Sequence, residues 1–124
     1  MVSKTYERLL SSPDQSFFLF GMRGVGKSTW ARARFPEALR FDLLDEGLYH
    51  DLLADPALFG QMVEASSTEW VVVDEVQRIP SLLNEVHRWI ESRKLNFALL
   101  GSSARKLKSA TTNSGAKASQ ALLV

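Results

Sequence analysis

Cysteine is absent from the 124 residues, which excludes disulfides, thiolate metal sites and a cysteine nucleophile together and fits a reducing compartment. A surplus of one charge is lacking as well. The 15 Lys and Arg residues nearly cancel the 14 Asp and Glu residues, so no general basic field draws the chain to a polyanion, and a nucleic-acid role would need a local patch. No apolar run approaches the about 18 residues of a membrane span, and "MVSKTYERLL" carries charges where a signal peptide needs an apolar core. The expectation is a soluble cytoplasmic protein without a membrane partner. Histidine is scarce, and neither His50 nor His87 has a partner at metal-ligand spacing, so both read as surface residues.

What is present suffices for one domain: 45% of residues are apolar, enough for a core at this length. Residues 4–10 read as a short helix and "SSPDQ" as a turn. "SFFLFG", Ser16 to Gly21, is a continuous apolar run too short for a globular helix, as expected of a parallel strand covered on both faces. Helical patterning runs from Lys27 to Phe35 and stops at Pro36. Ala38 to Leu44 is a weaker strand ending in acids, and two short helices follow, "LYHDLLA" and "PALFGQMVEAS", the second with Asp55 as a possible cap. "EWVVVDE", Glu69 to Glu75, is the clearest strand. From Pro80 onward Leu82, Leu83, Val86, Trp89 and Ile90 make one apolar helix face, and Leu95 to Ser103 is a fourth strand. Strands alternating with helices imply an α/β fold with a mainly parallel sheet. Trp30, Trp70 and Trp89 sit in or beside apolar faces and read as core. Past Ala104 the chain turns to Ser, Ala, Thr and Lys with no aromatic residue; residues 1–108 read as the core and 109–124 as a low-complexity, unstructured tail.

Gly21, Met22, Arg23, Gly24, Val25, Gly26, Lys27 and Ser28 match G-x-x-x-x-G-K-[ST] in full, with Thr29 next. Glycines let the backbone curl so that its N–H groups point at a β-phosphate, and the following helix presents its positive N-terminus to the same anion. Lys27 reaches the β- and γ-phosphates in such a loop, and the Ser28 hydroxyl takes a place on Mg²⁺. At a background glycine frequency of about 7%, a chance match in a chain of this length has a probability of roughly 0.5%. A dinucleotide fold is the near neighbour, because Asp42 stands 21 residues after Gly21. The glycine order G-x-x-G-x-G argues against it, since that fold needs G-x-G-x-x-G and has no use for Lys27 and Ser28. Arg23 either adds a phosphate contact, or points to solvent or pairs with a neighbouring acid.

A phosphate loop alone is a binding device; hydrolysis also needs a positioned water and a proton acceptor. An Asp at the end of an apolar strand beside the loop strand can hold a Mg²⁺-bound water, which makes Asp74 the expected metal-site residue and Glu75 the expected catalytic carboxylate. The bland alternative is a strand that ends in solvated charges. Ser102 and Ser103 leave the C-terminal end of the fourth strand, the edge where parallel sheets bind ligands. They either report the γ-phosphate or cap the next segment. Arg105, Lys106 and Lys108 form a small basic cluster that reads as a solvated end, with contact to phosphate or nucleic acid as the alternative.

On these residues the chain resembles the AAA-type P-loop ATPases of bacteria and archaea, whose core is often followed by a C-terminal domain, nuclease-like in one reading. The resemblance rests on "GMRGVGKST", "FDLLDEGLYHDLLADPALF", "WVVVDEVQRIPSLLNEVHRWIE" and "LLGSSARKLK" and spans residues 16–108. It implies ATP and Mg²⁺ binding by Lys27, Ser28 and Asp74, water activation by Glu75 and sensing around Ser102 and Ser103. It also implies a three-layer core whose fifth strand, lid and C-terminal domain are missing here, because the likeness stops near Lys108. In that class the fifth strand lies beside the first, so its loss leaves the loop strand's edge for the tail, a second copy or another protein chain to cover. The expected activity is ATP hydrolysis to ADP and phosphate; a nucleotide-binding module without turnover, an inactive fragment and a small-molecule kinase are the alternatives.

Overall fold

The computed structural model describes residues 16–21, 26–93, 95–102 and 119–123. The expected helix over residues 4–10, Met22 to Val25 of the glycine loop, Ser103 and the basic cluster at Arg105, Lys106 and Lys108 lie outside them.

Strand β1 is Phe17–Gly21, and helix α1, Lys27–Arg34, follows the loop. Strand β2 is Leu39–Asp42, α2 is Glu46–Ala54, α3 is Ala57–Ala65 and β3 is Trp70–Asp74. A single 3₁₀ turn, Val76–Arg78, leads to α4, Leu82–Arg93; β4 is Asn96–Gly101 and β5 is Ser119–Leu123. The sheet order is β2-β3-β4-β1-β5. The first four strands are parallel, with Phe17 opposite Ala98, Trp70 opposite Asn96 and Leu39 opposite Val71. The α/β class with a mainly parallel sheet is therefore as expected.

Two features differ from the sequence reading. Asp74 does not end a strand beside the loop strand, because β4 lies between β3 and β1. Residues 119–123, placed by sequence in a tail without structure, form β5, antiparallel to β1 with Phe17 opposite Leu123 and Gly21 opposite Ser119. A strand edge offers a row of unpaired N–H and C=O groups, and pairing with it asks for extended backbone more than for an apolar period, so a short segment suffices. β1 thus has a neighbour on both sides, and the open β1 edge behind the expectation of self-association is filled.

Continuous burial of β1 follows from a helical layer on each face. Phe17 and Leu19 pack with Ala31 and Phe35 on the α1 side. Phe18 and Phe20 face the opposite side, where Leu52, Phe59, Leu82 and Val86 from α2, α3 and α4 close the larger core. Trp30 and Trp70 pack on the α1 side and Trp89 on the other, as read from sequence. His87 is exposed, and His50 is exposed beside Glu46.

Local chemistry sets the helix ends. Asp45 caps α2 by accepting from the backbone N–H groups of Gly47 and Leu48 at 3.0 and 3.3 Å. Asp55 accepts from the Ala57 N–H at 3.2 Å, in the capping role expected of it. At the other end of α1, Arg40 Nη2 reaches across from β2 and donates to the carbonyls of Ala31 and Phe35 at 3.2 and 2.8 Å, where the helix dipole favours a cation. Arg40→Met keeps the apolar stem and removes both bonds. It is expected to cost about 1–2 kcal/mol, read as a lower denaturant midpoint at unchanged slope.

Candidate functional site

At the C-terminal edge of the sheet, β1 ends in Gly21 and α1 begins at Lys27. Gly26 caps the helix at φ 81°, a left-handed conformation that a side chain adopts only with strain. A Cβ there would meet nothing within 4 Å, so the requirement for glycine is conformational and not steric. Lys27 is buried at 7% exposure, and its Nζ donates to the Gly21 carbonyl at 3.3 Å. The ammonium therefore bridges the two ends of the loop. Thr29 faces solvent on the first turn.

Ser28 and Asp74 are 46 residues apart in sequence, yet the Ser28 Oγ donates to Asp74 Oδ2. The first turn of α1 thus spans the end of β4 to reach β3. Ser28, Arg32, Arg40, Asp42 and Asp74 line a small cavity of about 30 Å³ at this place, with Phe41, Val72 and Leu100 as its apolar walls. Burial pushes the Asp74 carboxyl above its ordinary value. The Ser28 hydrogen bond opposes that rise, Glu75 and Asp42 add to it, and Lys27 opposes it. Arg40 is pushed the other way, chiefly by burial and then by Arg32, with Asp74 opposing. Asp42 stands opposite Asp74 in the β2–β3 ladder, but its Oδ1 accepts from the Leu44 N–H at 3.0 Å, so it closes the turn after β2.

Glu75, directly after β3, has φ 60° and ψ 47°. A non-glycine residue held in the left-handed region costs on the order of 1–3 kcal/mol and is found most often at functional sites. Its side chain is buried at 5% exposure. Oε1 accepts from Gln77 Nε2 at 2.5 Å and from Ser102 Oγ at 3.0 Å. Gln77 Nε2 also lies 3.4 Å from Ser102 Oγ, so the three groups form a closed triangle at the ends of β3 and β4.

The fold therefore gathers Gly21, Gly26, Lys27, Ser28, Asp74, Glu75 and Ser102 along one sheet edge. The sequence alone gives Gln77 and Gly101 no role at the site. The available signal was an uncharged polar residue two positions after Glu75, between Val76 and Arg78 in "VVVDEVQRIP". Gly101 ends β4 where a Cβ would collide with Gln77 Oε1 and press on the Phe20 ring at 3.0 Å; the amide occupies the space that a side chain would need.

The donor set at Ser28 and Asp74 fits a small hard cation: one hydroxyl and one carboxylate oxygen, already in contact, with the carboxylate held in a place that disfavours its charge. Among the described residues no group of three or more His, Cys, Asp or Glu is placed to hold a metal ion. Mg²⁺ needs no such cage, since it commonly takes one or two protein ligands together with waters and substrate phosphates. Among the described residues no helix is long and apolar enough to cross a membrane.

A protein-family model described as an AAA domain matches residues 13–123, a span that contains all five strands and every site residue named above. No curated protein and no solved structure matches the chain.

Proposed function

The chain belongs to the AAA domain family of P-loop ATPases, and from that premise we propose that it binds Mg·ATP at the β1–α1 loop and hydrolyses it to ADP and phosphate. Family membership supports nucleotide binding and hydrolase activity in general; the assignment of residues to steps is our own. The observation that carries it is the contact of Ser28 with Asp74 beside the buried Lys27, because it joins the phosphate loop to the acidic end of β3 in one constellation.

In this reading the loop from Gly21 to Gly26 surrounds the phosphates with backbone N–H groups, and Met22, Arg23, Gly24 and Val25 belong to it by sequence. Lys27 leaves the Gly21 carbonyl to bind the β- and γ-phosphates. Ser28 and Asp74 hold Mg²⁺, which when bound neutralises charge on the phosphate oxygens. Glu75 accepts a proton from the attacking water as the water oxygen bonds to the γ-phosphorus. The bond to the β–γ bridging oxygen breaks, and ADP leaves with that electron pair. Ser102, with Ser103 beside it in sequence, senses the γ-phosphate.

The test compares the full chain with Lys27→Ala by titration of a fluorescent ATP analogue in Mg²⁺ and by phosphate release. The variant is expected to bind about 10- to 100-fold more weakly, the value of losing a hydrogen bond from a charged donor. Equal binding by the two proteins would sink the proposal. Phosphate release without any added acceptor excludes the kinase alternative.

A further inference from the structure

Gln77 has no part in holding nucleotide or metal, yet it is buried at 8% exposure beside the carboxylate proposed to activate water. Its amide is oriented by that carboxylate. Turned over, it would point Oε1 at Glu75 Oε1, oxygen against oxygen, in place of a hydrogen bond from Nε2 at 2.5 Å. The orientation it adopts leaves Gln77 Oε1 buried with no hydrogen-bond partner among the described residues. A methionine of similar length would fill the same space beside Gly101 without stranding a polar atom. Packing therefore does not explain the amide, whereas the bond to Glu75 does, and unpartnered buried polar atoms in folded proteins call for such a reason.

Gln77 Nε2 and Ser102 Oγ both donate to Glu75 Oε1, and Gln77 Nε2 also approaches Ser102 Oγ. Neither donor engages Oε2. We propose that Gln77 is a positioning residue that pins Glu75 Oε1, so that Oε2 is the oxygen presented to the attacking water, and that it keeps Glu75 in place when the γ-phosphate draws the Ser102 hydroxyl away. The left-handed backbone at Glu75 adds to the need, since a strained turn without a second anchor has a lower-energy conformation to relax into. This inference rests on the reading of Glu75 as the water-activating residue.

The experiment measures steady-state Mg·ATP hydrolysis and thermal melting for the full chain, Gln77→Met, Gln77→Leu, Glu75→Gln and the double variant Glu75→Gln with Gln77→Met. Loss of the donor is expected to lower kcat about tenfold or more, with KM for ATP within about twofold and no loss of melting temperature. The double variant is expected to be no slower than Glu75→Gln alone, because Gln77 acts only through Glu75. Wild-type kcat in both Gln77 variants, while Glu75→Gln is impaired, overturns this inference and leaves the reading of Glu75 standing. Unimpaired Glu75→Gln overturns both. A fall in melting temperature of more than about 5 °C in both Gln77 variants also overturns it, by making the amide structural.

Discussion

Glu75→Gln is expected to lower kcat for ATP hydrolysis by about 10²- to 10⁴-fold, the usual contribution of a positioned general base, while leaving Mg·ATP affinity within about twofold. The two side chains have the same length and shape, so the amide oxygen of the variant can still accept from Gln77 and Ser102. Only the second oxygen, the one that would take the water's proton, is replaced by a group that cannot. The backbone at φ 60° is equally strained for both residues, so the substitution leaves that term unchanged and melting should shift little. Phosphate release, followed together with titration of a fluorescent ATP analogue, separates the two quantities. Equal turnover by wild type and variant, at a level no higher than that of Lys27→Ala, would make the chain a nucleotide-binding module without hydrolysis.

Much of this site is legible in the sequence because its parts are local. A glycine loop between an apolar strand and a helix is a contiguous signal, and so is a β-branched strand closed by Asp74 and Glu75. The continuous run from Phe17 to Phe20 correctly implies a strand covered on both faces, since Phe17 and Phe18 are buried against opposite helical layers. What escapes is non-local. The place of β4 between β1 and β3 is decided by packing of the whole sheet, and it makes the contact of Ser28 with Asp74 a bridge across an intervening strand. β5 escapes for a different reason: edge pairing uses backbone groups, which carry no residue signature, and the short apolar ending Leu122-Leu123-Val124 after a Ser- and Ala-rich stretch leaves open whether the tail, a second copy or another chain covers the β1 edge. Asp45 looks like part of an acidic strand end until the helix behind it is placed, after which its carboxylate is accounted for as a cap. Gln77 becomes meaningful only when the turn after β3 folds it back onto Glu75, two residues before it, and the end of β4 brings Ser102 alongside.

Asp74→Asn is expected to produce opposite changes in stability and in function. Burial lifts the Asp74 carboxyl above its ordinary value of 3.8, so between that value and the folded one the native protein binds more protons than the unfolded chain. Stability then falls as pH rises through this window and stays lowered above it, because the folded state then carries a buried charge whose cost the solvated unfolded chain does not bear. Asparagine keeps an acceptor for Ser28 and carries no charge. In metal-free buffer near pH 7 the variant should therefore melt about 2–4 °C higher than wild type, and the difference should vanish once the pH drops below the ordinary carboxyl value. Function should move the other way. With Asp74 uncharged, Mg²⁺-stimulated hydrolysis is expected to fall about 10²- to 10³-fold, and Mg·ATP should raise the melting temperature of the variant less than that of wild type. Melting curves across pH, with and without Mg·ATP, check both halves on the same samples. A variant that melts lower than wild type near pH 7 in the absence of metal would refute the burial argument; one that retains full Mg²⁺ stimulation would remove Asp74 from the metal site.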